Sequence, residues 1–332
     1  MTKVAINGLG RIGRATMKIL IDNPDLELVA VNDLIPAEGL AYLLEYDSVY
    51  GHYEKGVGTE GEDLRVEDKV YKVLHEKNPA NLPWKDMGID LVFECTGLFT
   101  KKEDLEKHLQ AGANHVILSA PTKSSEIVSI VHGVNKPEGP AKAISCASCT
   151  TNCITPVVEI MRRNFGVKKA IMTTVHAYTS TQAIVDTYNK KLRRGRAGAV
   201  NLVPTTTGAA KATTKVIPEL EGKFDGVAVR VPVPVGSIAD MVFVVERSTN
   251  AEEVNEVFRK EASSERYKGV LGASDHELVS ADIVGDSRAS IVDLPMTQVV
   301  DGDLVKVMSW YDNEWGYAAQ MVREAVEMAR ST

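Results

Sequence analysis

The run Gly8-Leu9-Gly10-Arg11-Ile12-Gly13 constrains this chain more than any other segment. It fits G-x-G-x-x-G, follows the apolar stretch Val4-Ala5-Ile6, and opens a helical pattern from Arg11 to Asp22 with Ile12, Ala15, Ile19 and Leu20 on one side. Glycine triplets mark many turns, so the pattern alone is weak. Here a second apolar run, Leu28-Val29-Ala30-Val31, comes next, and Asp33 stands at its end, twenty positions after Gly13. Strand, glycine turn, helix, strand and acid are the parts of a dinucleotide-binding unit. Gly8 permits the tight turn, Gly10 lets backbone N–H groups approach a pyrophosphate, and Gly13 lets helix pack closely on strand. The helix start adds partial positive charge for the diphosphate. Asp33 would accept hydrogen bonds from both ribose hydroxyls and repel a 2′-phosphate. NAD is the expected cofactor.

Strand and helix signals keep alternating after Asp33. A helical Leu40-Tyr42-Leu43-Leu44, the run Ile89 to Phe93, a helix from Lys101 to Ala111 and the run His115 to Leu118 follow in order. Continuous apolar strands between helices predict an α/β domain, a parallel Rossmann-type sheet with helices on both faces. Leu64-Arg65-Val66 and Val70 to Leu74, joined through Glu67-Asp68, read as an antiparallel insertion. After Cys149 the pattern changes. A helix from Thr150 to Asn164 leads into longer strands at Ala170 to His176, Gly226 to Val233, Ile238 to Glu246 and Leu304 to Tyr311, with one helical segment, Ala251 to Ser263, among them. That predicts a second, α+β domain with a largely antiparallel sheet. The expected boundaries are 1–148 for the dinucleotide-binding domain and 149–312 for a catalytic one. An amphipathic helix from Glu314 to Arg330 closes the chain.

A net charge of −7 and a pI near 5.6 argue against a nucleic-acid-coating protein. No apolar run approaches the roughly 18 residues of a membrane span, and Met1-Thr2-Lys3 leads into Val4 without a signal-peptide pattern. Four cysteines are too few for a disulfide scaffold in 332 residues. A cytoplasmic enzyme is the expectation, with neither membrane nor nucleic acid as partner. The acidic average hides a basic centre. Between Gly139 and Pro218 twelve lysines and arginines stand against only Glu159 and Asp186. Such a stretch suits an anionic small substrate, or is simply a solvated basic face.

Three of the cysteines, Cys146, Cys149 and Cys153, crowd together. Ser148-Cys149-Thr150-Thr151-Asn152-Cys153 follows the strand Ala143-Ile144-Ser145 and begins a helix, where unpaired N–H groups favour a thiolate. His176 closes a later strand and could act as its base. The bland alternatives are a small buried cysteine and a satisfied core histidine. Cys153 lies one helical turn deeper, which suits a buried, inert thiol better than a resolving one. No second C-x-x-C or paired histidines accompany these cysteines, so no metal site is expected. A nucleophilic cysteine beside a nicotinamide points to aldehyde oxidation through a hemithioacetal and a thioester. Ser148, Thr150, Thr179, Thr205-Thr206-Thr207-Gly208, Arg194 and Arg230 are ligands suited to phosphate, enough for two anions. That fits a phosphorylated aldehyde with inorganic phosphate as the acyl acceptor.

These residues resemble one family. Asn7 to Arg14, Ala147 to Cys153, Thr173-Thr174-Val175-His176-Ala177, Thr207-Gly208-Ala209-Ala210-Lys211 and Ser309-Trp310-Tyr311-Asp312-Asn313-Glu314 are similar to segments of the phosphorylating glyceraldehyde-3-phosphate dehydrogenases, in order along the whole chain. The resemblance implies a homotetramer that converts glyceraldehyde 3-phosphate, phosphate and NAD to 1,3-bisphosphoglycerate and NADH in glycolysis. It implies Cys149 as nucleophile and His176 as base. Thr179 and Arg230 would hold the substrate's phosphate. Ser148, Thr150, Thr207, Gly208 and Arg194 would hold inorganic phosphate, with Arg193 and Arg196 as rivals to Arg194. Arg11, Ile12, Asp33, Lys77, Ser119 and Asn313 would contact the cofactor, and the last helix, within 313–332, would pack back on the first domain.

Three positions depart from the family pattern: Leu9 stands for phenylalanine, Cys146 for asparagine, and Thr187-Tyr188 for Gly-Pro or Leu-Pro. The last bears on the choice between NAD and NADP, and NADP use stays open. Thr187-Tyr188 also resembles erythrose-4-phosphate dehydrogenase, which is the alternative activity. A catalytically silent nucleotide-binding scaffold is the alternative of another class, and an intact Cys149–His176 pair speaks against it.

Overall fold

The computed structural model describes residues 1–330, and positions 331 and 332 lie outside it. The chain divides into two compact units. Met1–Ile130, Lys136–Ala147 and the chain from Ala318 onward form the first; Val131–Asn135 and Ser148–Tyr317 form the second.

The first unit is built on a nine-stranded sheet. In spatial order its strands are Val128–Ser129, Ala143–Ser145, His115–Leu118, Leu91–Glu94, Thr2–Asn7, Leu26–Asn32, Lys69–Leu74, Asp63–Val66 and Val57–Glu60. The first seven pair in parallel. The last two add an antiparallel edge that turns through Glu67, whose φ is +52°. This is a Rossmann-type sheet with its helices. Val4, Ala5 and Ile6 are fully buried, as are Val92 and Phe93. Each such Val, Ile or Phe side chain contributes about 1.5–3 kcal/mol. Thr2–Asn7 runs between Leu26–Asn32 and Leu91–Glu94, where the strand order reverses. A crevice at such a reversal is where an open parallel sheet holds its ligand, and Gly8 emerges into it.

The second unit carries an eight-stranded sheet, with Val203–Thr206, Phe224–Val231, Val167–Ala177, Ser237–Val245, Leu304–Tyr311, Ser290–Asp293 and Leu271–Ser274 in order, and Gln298–Val300 paired beside Leu304–Tyr311. It is mostly antiparallel; Val167–Ala177 with Phe224–Val231 and Leu271–Ser274 with Ser290–Asp293 are the parallel pairs. The helix Cys149–Phe165 buries Cys153, Ile154, Val157, Val158, Ile160 and Met161 in this unit's core. The expectation of one helix among the strands is corrected: Ala209–Val216 is helical as well as Ala251–Ala262. Its eight residues bury Ala209, Ala210 and Thr213, a stripe of small side chains that leaves no apolar periodicity in the sequence. The closing helix is Trp315–Arg330, and Met321, Val322 and Ala325 are buried along it.

Candidate active site

The glycine turn of the first unit is too tight for side chains. Gly8 has φ +94°, and a Cβ there would lie 2.8 Å from the Thr96 backbone nitrogen. A Cβ on Gly13 would lie 2.0 Å from the Gly8 carbonyl oxygen, so helix and strand meet at backbone contact. At Gly10 a Cβ would meet nothing within 4 Å, which leaves the start of helix Arg11–Ile21 open to a ligand. A groove of about 490 Å³ runs past it, lined by Gly8, Gly10, Asp33, Lys77, Thr96 and Phe99 among others. Open N–H groups, an acid at the next strand end and apolar walls fit a dinucleotide. Arg11 is half-buried and turned to Asp47, and its guanidinium lies 5.5 Å from the centroid of the Tyr50 ring. Ile12 is half-buried, and Ser119 stands beside the Cys95 thiol.

In the second unit Ser148 caps the helix Cys149–Phe165, its Oγ accepting the Thr151 backbone N–H at 3.2 Å. That cap sets the part-exposed Cys149 at the first helical position. Its Sγ lies 3.4 Å from His176 Nε2. His176 is the penultimate residue of the strand Val167–Ala177, and its Nδ1 contacts both the Ala177 carbonyl oxygen, at 2.7 Å, and the Arg230 guanidinium. Arg230 has the same carbonyl as acceptor, at 3.0 Å, and needs nothing from the ring. In the Nδ1–H tautomer, which donates to Ala177, the Nε2 lone pair faces the sulfur. Burial pushes His176 down to about 3, and Arg230's charge adds to it while the Ala177 carbonyl opposes. Burial likewise raises the Cys149 thiol, against Arg230's charge and hydrogen bonds from the Thr150 N–H and hydroxyl. The helix start does favour the thiolate, but desolvation is the larger effect.

Arg230 is half-buried and its Nε has no hydrogen-bond partner among the described residues. Arg194 lies close enough to lower it electrostatically. Arg194 itself is braced by Thr205 Oγ1, at 3.0 Å, and the Thr206 carbonyl, at 3.3 Å. Arg196 instead pairs with Asp186 at 2.7 Å. The Thr179 hydroxyl bonds within its own turn, to Thr181 Oγ1 at 2.8 Å and Gln182 Oε1 at 3.2 Å. Thr207 and Gly208 precede the helix Ala209–Val216, the Thr207 hydroxyl accepting the Ala209 N–H. Asn313 is buried, its Oδ1 accepting the Ser237 hydroxyl at 2.9 Å.

Residues 2–102 match the glyceraldehyde 3-phosphate dehydrogenase NAD binding domain, and residues 148–313 match the glyceraldehyde 3-phosphate dehydrogenase C-terminal domain. The chain belongs to the glyceraldehyde 3-phosphate dehydrogenase family. It is 49% identical to the glyceraldehyde-3-phosphate dehydrogenase of Geobacillus stearothermophilus, over 98% of both chains. It is 48% identical to that of Streptomyces coelicolor over 96% of both, and 46% identical to that of Zymomonas mobilis over 99% of both.

Against the family pattern, Cys146 is buried, and its thiol is pushed well up by burial, with Glu324 and Cys95 adding to it. Cys153 is fully buried 3.8 Å from Ser290 Oγ and 3.7 Å from the Ser309 carbonyl oxygen, and is pushed up to about 12 by burial. Thr187 donates its N–H to the Gly195 carbonyl at 2.8 Å, and Tyr188 beside it is 81% exposed. Two residues at the glyceraldehyde 3-phosphate dehydrogenase site carried no role in the sequence reading: Thr174 and Tyr311. Alternation along Leu304–Tyr311 puts Val305, Val307, Ser309 and Tyr311 on the buried face. A tyrosine on such a face needs a partner for its hydroxyl, and that was the available signal.

Proposed function

We propose that this protein catalyses the NAD-dependent oxidative phosphorylation of D-glyceraldehyde 3-phosphate to 1,3-bisphosphoglycerate, a glycolytic step, as a cytoplasmic homotetramer. The observation that carries the reading is Cys149 Sγ at 3.4 Å from His176 Nε2. His176 takes the thiol proton and returns it to the alkoxide as the sulfur adds to the aldehyde carbon, leaving a hemithioacetal on Cys149. His176 then accepts the hydroxyl proton as hydride leaves that carbon, and Cys149 carries a thioester. NAD, when bound, supplies the two-electron hydride acceptor. A phosphate oxygen bonds to the acyl carbon, the C–S bond breaks, and the sulfur leaves as thiolate with the acyl phosphate released. Backbone N–H groups at the start of the Cys149 helix stabilise the oxyanion in both addition steps.

Arg230 and Thr179 hold the substrate's phosphate in this reading. Ser148, Thr150, Arg194, Thr207 and Gly208 hold inorganic phosphate. The ion pair of Arg196 with Asp186 favours Arg194 over Arg196 for that task. Gly8, Gly10, Arg11, Ile12, Gly13, Asp33, Lys77 and Ser119 hold NAD, and Asn313 orients its amide. Residues 1–148 act as the dinucleotide-binding domain and 149–312 as the catalytic one. The grouping of Ala318 onward with the first unit supports a closing helix that packs back on it. Ile184, Tyr188, Leu192, Val200 and Leu202 are each at least 69% exposed, an apolar surface that favours cover by further copies of the chain. No helix among the described residues is long and apolar enough to cross a membrane.

Initial rates with NAD or NADP, with glyceraldehyde 3-phosphate or erythrose 4-phosphate, and with or without inorganic phosphate test the reading. NADH formation that needs phosphate and prefers the three-carbon aldehyde is the expected result. Phosphate-independent turnover, or preference for the four-carbon sugar, overturns it.

A further inference from the structure

Glu94, Asn7 and Asn32 are the last residues of the strands Leu91–Glu94, Thr2–Asn7 and Leu26–Asn32, and they stand in register. All three are buried. Asn7 Nδ2 donates to Glu94 Oε2 at 2.6 Å, and Asn7 Oδ1 accepts from Asn32 Nδ2 at 2.7 Å. Asn32 then closes on the Glu76 backbone, donating to its carbonyl and accepting its N–H, both at 2.9 Å. On the other side, Glu94 Oε1 accepts the Thr96 N–H at 2.8 Å and also the Thr96 hydroxyl. The hydroxyl oxygen in turn accepts the Leu98 N–H at 3.1 Å. A hydrogen-bonded relay thus runs from Leu98 to Glu76 across the ends of neighbouring parallel strands. Leu98, Thr96, Asn7, Asn32 and Glu76 all line the groove of about 490 Å³ that suits a dinucleotide, and Glu94 does not.

The direction of each bond in the relay is set at its ends. A backbone N–H only donates and a carbonyl only accepts, so Glu76 fixes which way the Asn32 amide faces. Asn32 therefore turns its NH2 to Asn7, and Asn7 turns its own to Glu94. The Thr96 N–H and hydroxyl arrive from the other wall. His108 Nε2 adds a fourth donor at 3.1 Å, because Trp84 Nε1 donates to the other ring nitrogen. Donors converge on Glu94 from both walls, and only a group that accepts at both oxygens fits there. A glutamine of the same shape would set an NH2 against either the Thr96 N–H or the Asn7 NH2. Turning Asn7 over moves the conflict to Asn32, and turning Asn32 over moves it to the Glu76 N–H. An unmade bond at a buried donor is costly, so one wall loses its tie in either case.

We propose that Glu94 is a positioning residue for the dinucleotide, its two acceptor oxygens holding the Thr96–Leu98 wall and the Glu76 wall of the groove at a fixed spacing. The inference rests on that groove holding NAD. It gives a fully buried acid, outside the groove's lining, a part in cofactor affinity.

Calorimetric titration of the full chain with NAD is the test, with thermal unfolding of each variant as the measure of its fold. Glu94→Gln should weaken NAD binding about three- to tenfold at a temperature where the variant is folded. His108→Leu removes a donor that lies off the relay. It should lower the unfolding midpoint yet leave NAD affinity within about twofold. An unmoved affinity in Glu94→Gln overturns the proposal. So does an equal loss in His108→Leu, which would mark a general weakening of the core. Should either variant fail to fold, hydrogen exchange in the unaltered chain decides. The Glu76 and Leu98 amides lie outside helices and strands. They should nonetheless exchange about tenfold or more slower than those of Lys77 and Gly97, and equal rates overturn the relay. NAD binding and phosphate-dependent NADH formation by the unaltered chain judge the proposed function, so the two ideas fail separately.

Discussion

Asp33 reaches back to the glycine turn: its Oδ2 accepts the Leu9 backbone N–H at 2.7 Å, while its Oδ1 accepts the Ile35 N–H at 3.1 Å. Both carboxylate oxygens are held by backbone, so the acid cannot swing away from a ribose that carries an extra phosphate. Asp33→Ala should lower the preference for NAD over NADP, as the ratio of kcat/KM values, by about tenfold or more, since a like-charge contact of even about 1.4 kcal/mol is lost. An unchanged ratio would place discrimination elsewhere, with Thr187-Tyr188 the next segment to vary.

Cys149→Ser replaces a thiol with a hydroxyl that His176 cannot ionise comparably. Phosphate-dependent NADH formation should fall by about 10⁴-fold or more. NAD affinity, measured by calorimetry, should stay within about threefold, because the groove past Gly10 is built from other residues. Full activity in this variant would refute the mechanism.

Arg194 is braced by threonines and has no ion-pair partner among the described residues, whereas Arg196 pairs with Asp186. Arg194→Ala should raise the KM for inorganic phosphate about tenfold or more. Arg196→Ala should change it by less than about threefold. The reverse order would reassign the anion site.

His176 falls to about 3 in the folded chain from an ordinary value of 6.5. Between those values the unfolded chain binds a proton that the folded chain does not, so stability falls as pH drops through that window. From pH 6.5 to 5 this one group costs up to about 2 kcal/mol. Urea unfolding midpoints at pH 7 and 5 should therefore converge in His176→Asn relative to the unaltered chain. An equal loss in both would show that other groups govern the acid limb.

Glu94 is fully buried and accepts hydrogen bonds from Asn7 Nδ2 at 2.6 Å and the Thr96 backbone N–H at 2.8 Å, with His108 Nε2 at 3.1 Å. Trp84 Nε1 donates to the other nitrogen of His108 at 3.0 Å, which leaves Nε2 as the donor to Glu94. Glu94→Leu strands all these donors and should destabilise the chain by about 3 kcal/mol or more. Glu94→Gln, which keeps an acceptor, should lose less. Thermal unfolding of the two variants orders them.

Local chemistry made much of this protein readable. The glycine turn, the acid at the second strand end and the cysteine at a helix start each depend on neighbours within a few residues, so their chemistry is written in order along the chain. The strand Leu304–Tyr311 falls at the bounds its alternation predicts. The helix Ala209–Val216 was not readable, because Ala209, Ala210 and Thr213 carry too little apolar surface to mark a face.

The linear chain thus determined the two sheet types, the glycine turn and which residues are proposed as nucleophile and base, since periodicity and side-chain type are properties of the chain itself. Tertiary structure alone decided that His176 faces Cys149 across 27 positions and that Tyr311 meets Thr150 across 161. It also decided that burial, not the helix start, governs the resting sulfur. Desolvation and hydrogen-bond direction depend on every atom packed around a group, and those atoms come from strands that only folding brings side by side.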